Sequence, residues 1–130
     1  MAARRAARRC VVRWLRVHHP GRLDSVKAYK RLRDGSIEEA MVDDAFRHRE
    51  ENPALYAIAR TRITDEIEVS TCFLQIDHNF SGVGKPVLLE TAVFEGSKAR
   101  DLERYDSEAG ARVGQELAVA REQKMLGLLN

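Results

Sequence analysis

Ile67-Glu68-Val69-Ser70-Thr71-Cys72-Phe73-Leu74-Gln75-Ile76 is the stretch that decides the fold. Ile67, Val69, Thr71 and Phe73 fall on one side of an extended chain, and Cys72, Leu74 and Ile76 on the other. That is the period-two pattern of a β-strand, and apolar residues on both faces predict a central one. Just upstream, Tyr56, Ile58, Arg60 and Arg62 alternate with Ala57, Ala59 and Thr61, and Thr64-Asp65-Glu66 makes a short connection between the two strands. Downstream, residues 77–86 read as a loop rich in Gly and polar residues. Residues 87–94 read as a further strand, apolar on both faces except at Glu90. Glu95-Gly96-Ser97 turns the chain, and residues 102–105 predict a short edge strand.

Helices are predicted on either side of this run. Asp34-Gly35 is a turn signal, and Ser36-Ile37-Glu38-Glu39 reads as a capping box, in which the Ser hydroxyl accepts from the third helical amide while the Glu reaches back. The spacing predicts a helix over residues 37–49 with Ile37, Met41 and Ala45 turned inward, stopped by Glu50-Glu51-Asn52-Pro53. Ser107 caps a final helix over about residues 108–126, weakened by Gly110 and Gly114. Sequential strands with short links form antiparallel meanders. The expectation is therefore an α+β fold: a three- to four-stranded antiparallel meander covered on one face by an N-terminal-side helix and a C-terminal helix.

Length and charge bound the rest. A chain of 130 residues is one domain, and it holds no apolar run long enough for a membrane span. Residues 1–33 contain 11 Lys or Arg and one acid, Asp24, whereas residues 34–130 contain 11 basic and 19 acidic residues. The net charge of +2 thus joins a basic amphipathic extension, residues 1–33, to an acidic α+β domain, residues 34–130. That domain is a poor binder of phosphate backbones by itself. In the extension, Ala3, Ala6, Ala7, Cys10, Val11, Trp14 and Val17 share one helical arc, and Arg4, Arg5, Arg8, Arg9, Arg13 and Arg16 fill the other, with Val12 and Leu15 breaking the pattern. Such a segment suits an anionic membrane, a nucleic acid or an organelle-targeting role; it also reads as an unstructured extension or as residues upstream of the natural start. His18-His19-Pro20-Gly21 ends any helix there. Cys10 and Cys72 are too few for a disulfide framework and read as reduced thiols in a cytoplasm; no apolar signal core is present at the N-terminus.

Two motifs carry a resemblance. Val69-Ser70-Thr71-Cys72-Phe73-Leu74-Gln75-Ile76-Asp77-His78-Asn79-Phe80 resembles the run V-S-T-V-[FW]-L-G-[LI]-D-H-x-F of a family of small bacteriophage and prophage proteins. Pro86-Val87-Leu88-Leu89-Glu90-Thr91-Ala92-Val93-Phe94 resembles that family's P-x-[LI]-F-E-T-M-V-F, and Glu103-Arg104-Tyr105 its E-R-Y. The likeness spans roughly residues 27–124. This chain departs from it at Gln75 for Gly, Leu89 for Phe, Ala92 for Met and Gln115 where a His is common. The resemblance implies a phage-derived accessory protein in a bacterial cytoplasm, with no activity attached to it, and the small acidic body without a catalytic signature adds the expectation that it binds a host or phage macromolecule.

Candidate site residues cluster in the loop after the central strand. Asp77, His78, Asn79 and Phe80 open it, Lys85 lies near its end, and Arg104 and Tyr105 follow in the edge strand; these seven are the binding candidates. No catalytic residue is committed, but in a small hydrolase His78 would be the base and Asp77 would orient it. The alternative is that Asp77 and Asn79 form turn hydrogen bonds and His78 packs locally. His18, His19 and His48 show no ligand spacing with it, so neither a metal nor a cofactor is expected. Gly82-Val83-Gly84-Lys85 is no phosphate loop, because Asn79 and Pro86 stand where Gly and Ser or Thr are needed. Glu90 is expected to pair with Arg104 across the sheet, and Tyr105 to pack the sheet edge against the final helix. A second function class is nucleic-acid binding through Arg4, Arg5, Arg8, Arg9, Arg13 and Arg16.

Overall fold

The computed structural model of the chain describes residues 26–81 and 83–127; the basic arc of residues 3–17 lies outside them. Six strands and two helices follow in the order β1 (Ala28–Arg31), β2 (Ile37–Ala40), α1 (Val42–Glu51), β3 (Ala57–Arg62), β4 (Ile67–Phe73), β5 (Leu89–Glu95), β6 (Lys98–Tyr105) and α2 (Glu108–Met125). β3 to β6 form the expected four-stranded antiparallel meander in sequence order, and β1 pairs with β2 in a separate hairpin. The class is α+β, as read from the sequence.

β4 is central because its two faces are both needed. Val69 and Thr71 are fully buried and Phe73 nearly so under α2, while the chain beyond the strand carries Leu74 and Ile76 into a second cluster with Ala28 and Ala45. Burying each large aliphatic side chain contributes about 1.5–3 kcal/mol, so β4 and its extension hold both sides of the molecule together. The two helices consequently lie one at each side. The Ala111, Gly114, Gln115, Ala118 and Glu122 side of α2 sits on the sheet, and α1 packs Ala45 against β1 and the Leu74–Ile76 extension. The sequence pattern had put both on one face.

The N-terminal part departs most from expectation. Residues 37–40 are a strand, not the first turn of a helix, and α1 starts at Val42 behind Met41, which makes no side-chain cap. The reason is local. Ser36 is taken by Asp34, whose Oδ1 accepts from the Ser36 amide at 2.9 Å and hydroxyl at 2.6 Å, with Gly35 at φ +85 closing the turn. The capping-box serine is therefore a turn residue, and the hairpin sets Lys30 opposite Glu38. Ile37 and Met41 point outward and only Ala45 is inside. The boundary drawn after residue 33 falls within this hairpin: Ala28 is buried and bridges to Ile76, and the Tyr29 amide donates to the Gln75 carbonyl at 2.7 Å. α1 does end before Pro53 as expected, and Ser107 does cap α2, accepting from the Gly110 amide at 3.1 Å.

Candidate functional site

The loop after β4 is tied to itself. Asp77 Oδ1 accepts from the Asn79 amide at 2.8 Å and from the Val87 amide at 2.9 Å, and the His78 amide donates to the Val87 carbonyl. Asn79 Nδ2 donates to the Val83 and Lys85 carbonyls at 2.8 and 2.9 Å. Asp77 and Asn79 are thus loop-forming residues in the geometry that the turn reading called for.

His78 stands half-buried at the root of this loop. Its Nδ1 lies 2.8 Å from the Ile76 carbonyl, an acceptor only, so Nδ1 carries the proton. Burial, and next the Arg104 guanidinium, push its pKa down to about 4. At neutral pH the ring is an uncharged and weak base, which does not suit the general-base role. The Asp77 Oδ1 serves backbone amides, and the His78 Nδ1 proton goes to the Ile76 carbonyl rather than to that carboxylate oxygen. Phe80 meets the His78 ring edge to face with centroids 6.0 Å apart.

Arg104 and Glu90 are opposite one another in the β5–β6 register, and Arg104 Nε donates to Glu90 Oε2 at 3.0 Å. This is the expected cross-strand pair. Burial raises the Glu90 pKa, and Arg104 and then Arg49 of α1 oppose the rise. Cys72, beside Glu90 in the β4–β5 register, has its thiol pushed up to about 11 by burial, so it stays protonated and unreactive at neutral pH.

The seven binding candidates do not converge on one site. Arg104 projects from the sheet face away from α2, near His78. Tyr105, the next residue, turns to the α2 face, where its hydroxyl donates to Glu103 Oε2 at 2.8 Å and its ring lies over Gly114. Gly114 lets it do so, because a Cβ there would run into the Tyr105 ring and hydroxyl. Lys85 sits elsewhere again, on a cleft of ≈ 290 Å³ at the N-terminal end of α2, with Arg31, Phe73, Leu88, Leu89 and Glu108.

Gln115, at the position where the resembled family often has His, is also on the α2 face. Its Oε1 accepts from Thr71 Oγ1 at 2.7 Å, and its Nε2 donates to the Val69 carbonyl at 3.0 Å and Thr61 Oγ1 at 3.2 Å. Thr71 Oγ1 is also 2.6 Å from Thr91 Oγ1. The amide is fully used in joining helix to sheet, and it does not share a site with His78. Among the described residues no group of three His, Cys, Asp or Glu side chains is placed to hold a metal ion.

Sequence reasoning missed three features. Arg31, counted in the basic extension, is a structural residue whose guanidinium donates to the Leu55 carbonyl and to Glu108 Oε1, both at 2.8 Å. The spacing of Val26, Ala28 and Lys30 held the strand signal, but the surrounding Lys and Arg masked it. Glu122 is buried and paired with Arg100 through bonds of 2.6 and 3.0 Å. Ala109, Val113, Leu117 and Ala120, at helical spacing, form an apolar stripe on the solvent side of α2.

Comparison with family models, with curated proteins and with solved structures returned no match. None of the described helices is long and apolar enough to cross a membrane.

Proposed function

We propose that this chain is a phage-type accessory protein of the bacterial cytoplasm that acts by binding another macromolecule, a host or phage protein. The observation that carries the reading is the outer face of α2. The helix buries Ala111, Gly114, Ala118 and Glu122 against the sheet, and nearly opposite on the helical wheel it keeps Val113 56% and Leu117 66% exposed between Ala109 and Ala120. Two large aliphatic side chains one turn apart, flanked by alanines and bordered by Arg112, Glu116 and Lys124, have the form of a helix-packing surface. The self-bonded loop and the uncharged His78 support a binding domain over the hydrolase reading.

The test is affinity capture from host lysate with the full chain and with its Val113→Glu/Leu117→Glu variant, each with and without nuclease. The expected result is a protein retained by the parent, resistant to nuclease and lost by the variant. Equal capture by both chains refutes the α2 surface. Material released by nuclease favours the other reading, nucleic-acid association through the basic residues 1–25, which hold seven Lys or Arg against one acid.

A further inference from the structure

Three segments far apart in the chain enclose the cleft at the N-terminal end of α2. The first hairpin gives one wall, with Arg31 and Ile37 opposite one another in the β1–β2 register. Lys85 and Leu88, on the approach to β5, give the second. Asp106 and Glu108, where β6 turns into α2, give the third. Phe73, the last residue of β4, lies between them. The space of ≈ 290 Å³ equals the share of about ten liquid waters, room for a compact ligand of roughly that many non-hydrogen atoms.

We propose that this cleft binds a small organic acid, a monocarboxylate with a compact apolar body, held at the carboxylate by Arg31 and Lys85 and at the body by Ile37, Phe73 and Leu88. Three observations carry the assignment. The first is an apolar mouth. Ile37 is 44% exposed, in a strand whose next two residues are Glu38 and Glu39, and it lines the cleft with the buried Phe73 and Leu88. A ligand body seated there covers apolar surface that the fold leaves wet. The second is a fixed cation. The Arg31 side chain is 17% exposed, and its guanidinium is clamped between the Leu55 carbonyl and Glu108 Oε1, both at 2.8 Å. Those bonds use two of the five N–H donors of an arginine, so others remain for a carboxylate. The third is the balance of charge. Glu108 is neutralised from two sides, by Arg31 and, at 3.5 Å, by Arg112. Lys85 has no salt-bridge partner among the described residues. Arg31, Lys85 and Arg112 therefore meet Asp106 and Glu108 here, and the N-terminal end of α2 adds its positive dipole. That balance selects an anion over a cation.

The test is a titration of the full chain at pH 7, followed by two-dimensional amide NMR. The probe is cyclohexanecarboxylate; cyclohexanecarboxamide keeps its body without the charge, and acetate keeps the charge without the body. The expected result is saturable shifts at the amides of Arg31, Ile37, Leu88 and Glu108 with the full acid. Either half-probe is expected to bind about tenfold more weakly, the worth of one charge-assisted bond or of a small buried body. Lys85→Gln, at an exposed position, is expected to weaken the acid by about the same factor. Ile37→Glu puts a like charge on the wall and is expected to abolish saturation in a spectrum that remains folded. The Val113→Glu/Leu117→Glu variant is expected to bind the acid as the parent does, so this site and the outer α2 surface succeed or fail separately. Absence of saturable shifts overturns the proposal, as does equal binding of the carboxamide. Shifts centred on Val113 and Leu117, or an affinity that ignores Lys85→Gln, overturn it as well.

Discussion

Removing the Arg100 guanidinium isolates a buried charge and makes its energetic role measurable. Glu122 is 1% exposed on the inner face of α2, and Arg100 of β6 holds both its oxygens at 2.6 and 3.0 Å. In Arg100→Met the carboxylate keeps, among the described residues, only Arg121, whose Nε is 3.9 Å away. Breaking a buried pair by deleting one partner costs about 3–5 kcal/mol. Arg100 is 30% exposed, so water screens the pair in part, and Arg121 remains; the expected loss is about 2–3 kcal/mol. The additional contacts of Arg100 with Glu95 and Asp101 are exposed and add little. For a domain of this size a loss of that order lowers Tm by roughly 10–20 °C. Urea unfolding followed by circular dichroism at pH 7 measures it. One control separates an unpaired charge from lost packing. The double variant Arg100→Met/Glu122→Leu removes the orphaned carboxylate and is expected to recover most of the loss. A single variant within about 0.5 kcal/mol of the parent, or a double variant less stable than the single one, refutes the reasoning.

Three further outcomes follow from the same geometry. His78, pushed down to about 4, is expected to show no imidazole titration by NMR between pH 6 and 8; a midpoint at the ordinary 6.5 contradicts its burial. Because its folded pKa is depressed, the stability it contributes is present above pH 6.5 and lost as the pH falls toward 4, so the urea midpoint of His78→Gln should fall less steeply than the parent's over that window. Glu90 is expected to titrate above its ordinary 4.5 by carboxyl NMR and higher still in Arg104→Leu. Its contribution is full below the unfolded pKa and lost as the pH rises through the folded one, so a midpoint that drops without Arg104 counts against the pair. Gly114→Ala is expected to destabilise the parent, since the new methyl group meets Tyr105. In a Tyr105→Ser background, with the ring gone, it is expected to stabilise by up to about 1 kcal/mol through helix propensity; loss in both backgrounds assigns another cause.

How far the sequence reached varies with the range of the interaction. The meander was legible because strand alternation is a property of neighbouring residues, and Ile67–Phe73 alternates without a break. The Ser107 cap was legible for the same reason, and the Glu90–Arg104 pair followed once the strands were in order. The first hairpin was not. Ser36 suits a helix cap and an Asp34 turn equally well, and the choice was made by β1, whose Ala28 and Tyr29 bind the extension of β4 far along the chain. The candidate loop was found by its residue types, but their roles were not: only the fold shows that the Asp77 carboxylate serves backbone amides and that burial keeps His78 uncharged.

By itself, the sequence determined the α+β class, the strand order of the meander, the final helix and the split between a basic start and an acidic remainder. Each of these is written in local periodicity or in summed charge, which need no knowledge of distant contacts. Tertiary structure alone decided that residues 28–31 belong to the fold, that adjacent Arg104 and Tyr105 serve opposite faces of the sheet, and that Gln115 and Glu122 are inner-face polar residues with their partners provided. Those outcomes depend on which groups distant in the sequence are brought together, from Glu90 and Arg104, 14 positions apart, to Arg31 and Glu108, 77 apart, and on the burial that follows from bringing them together.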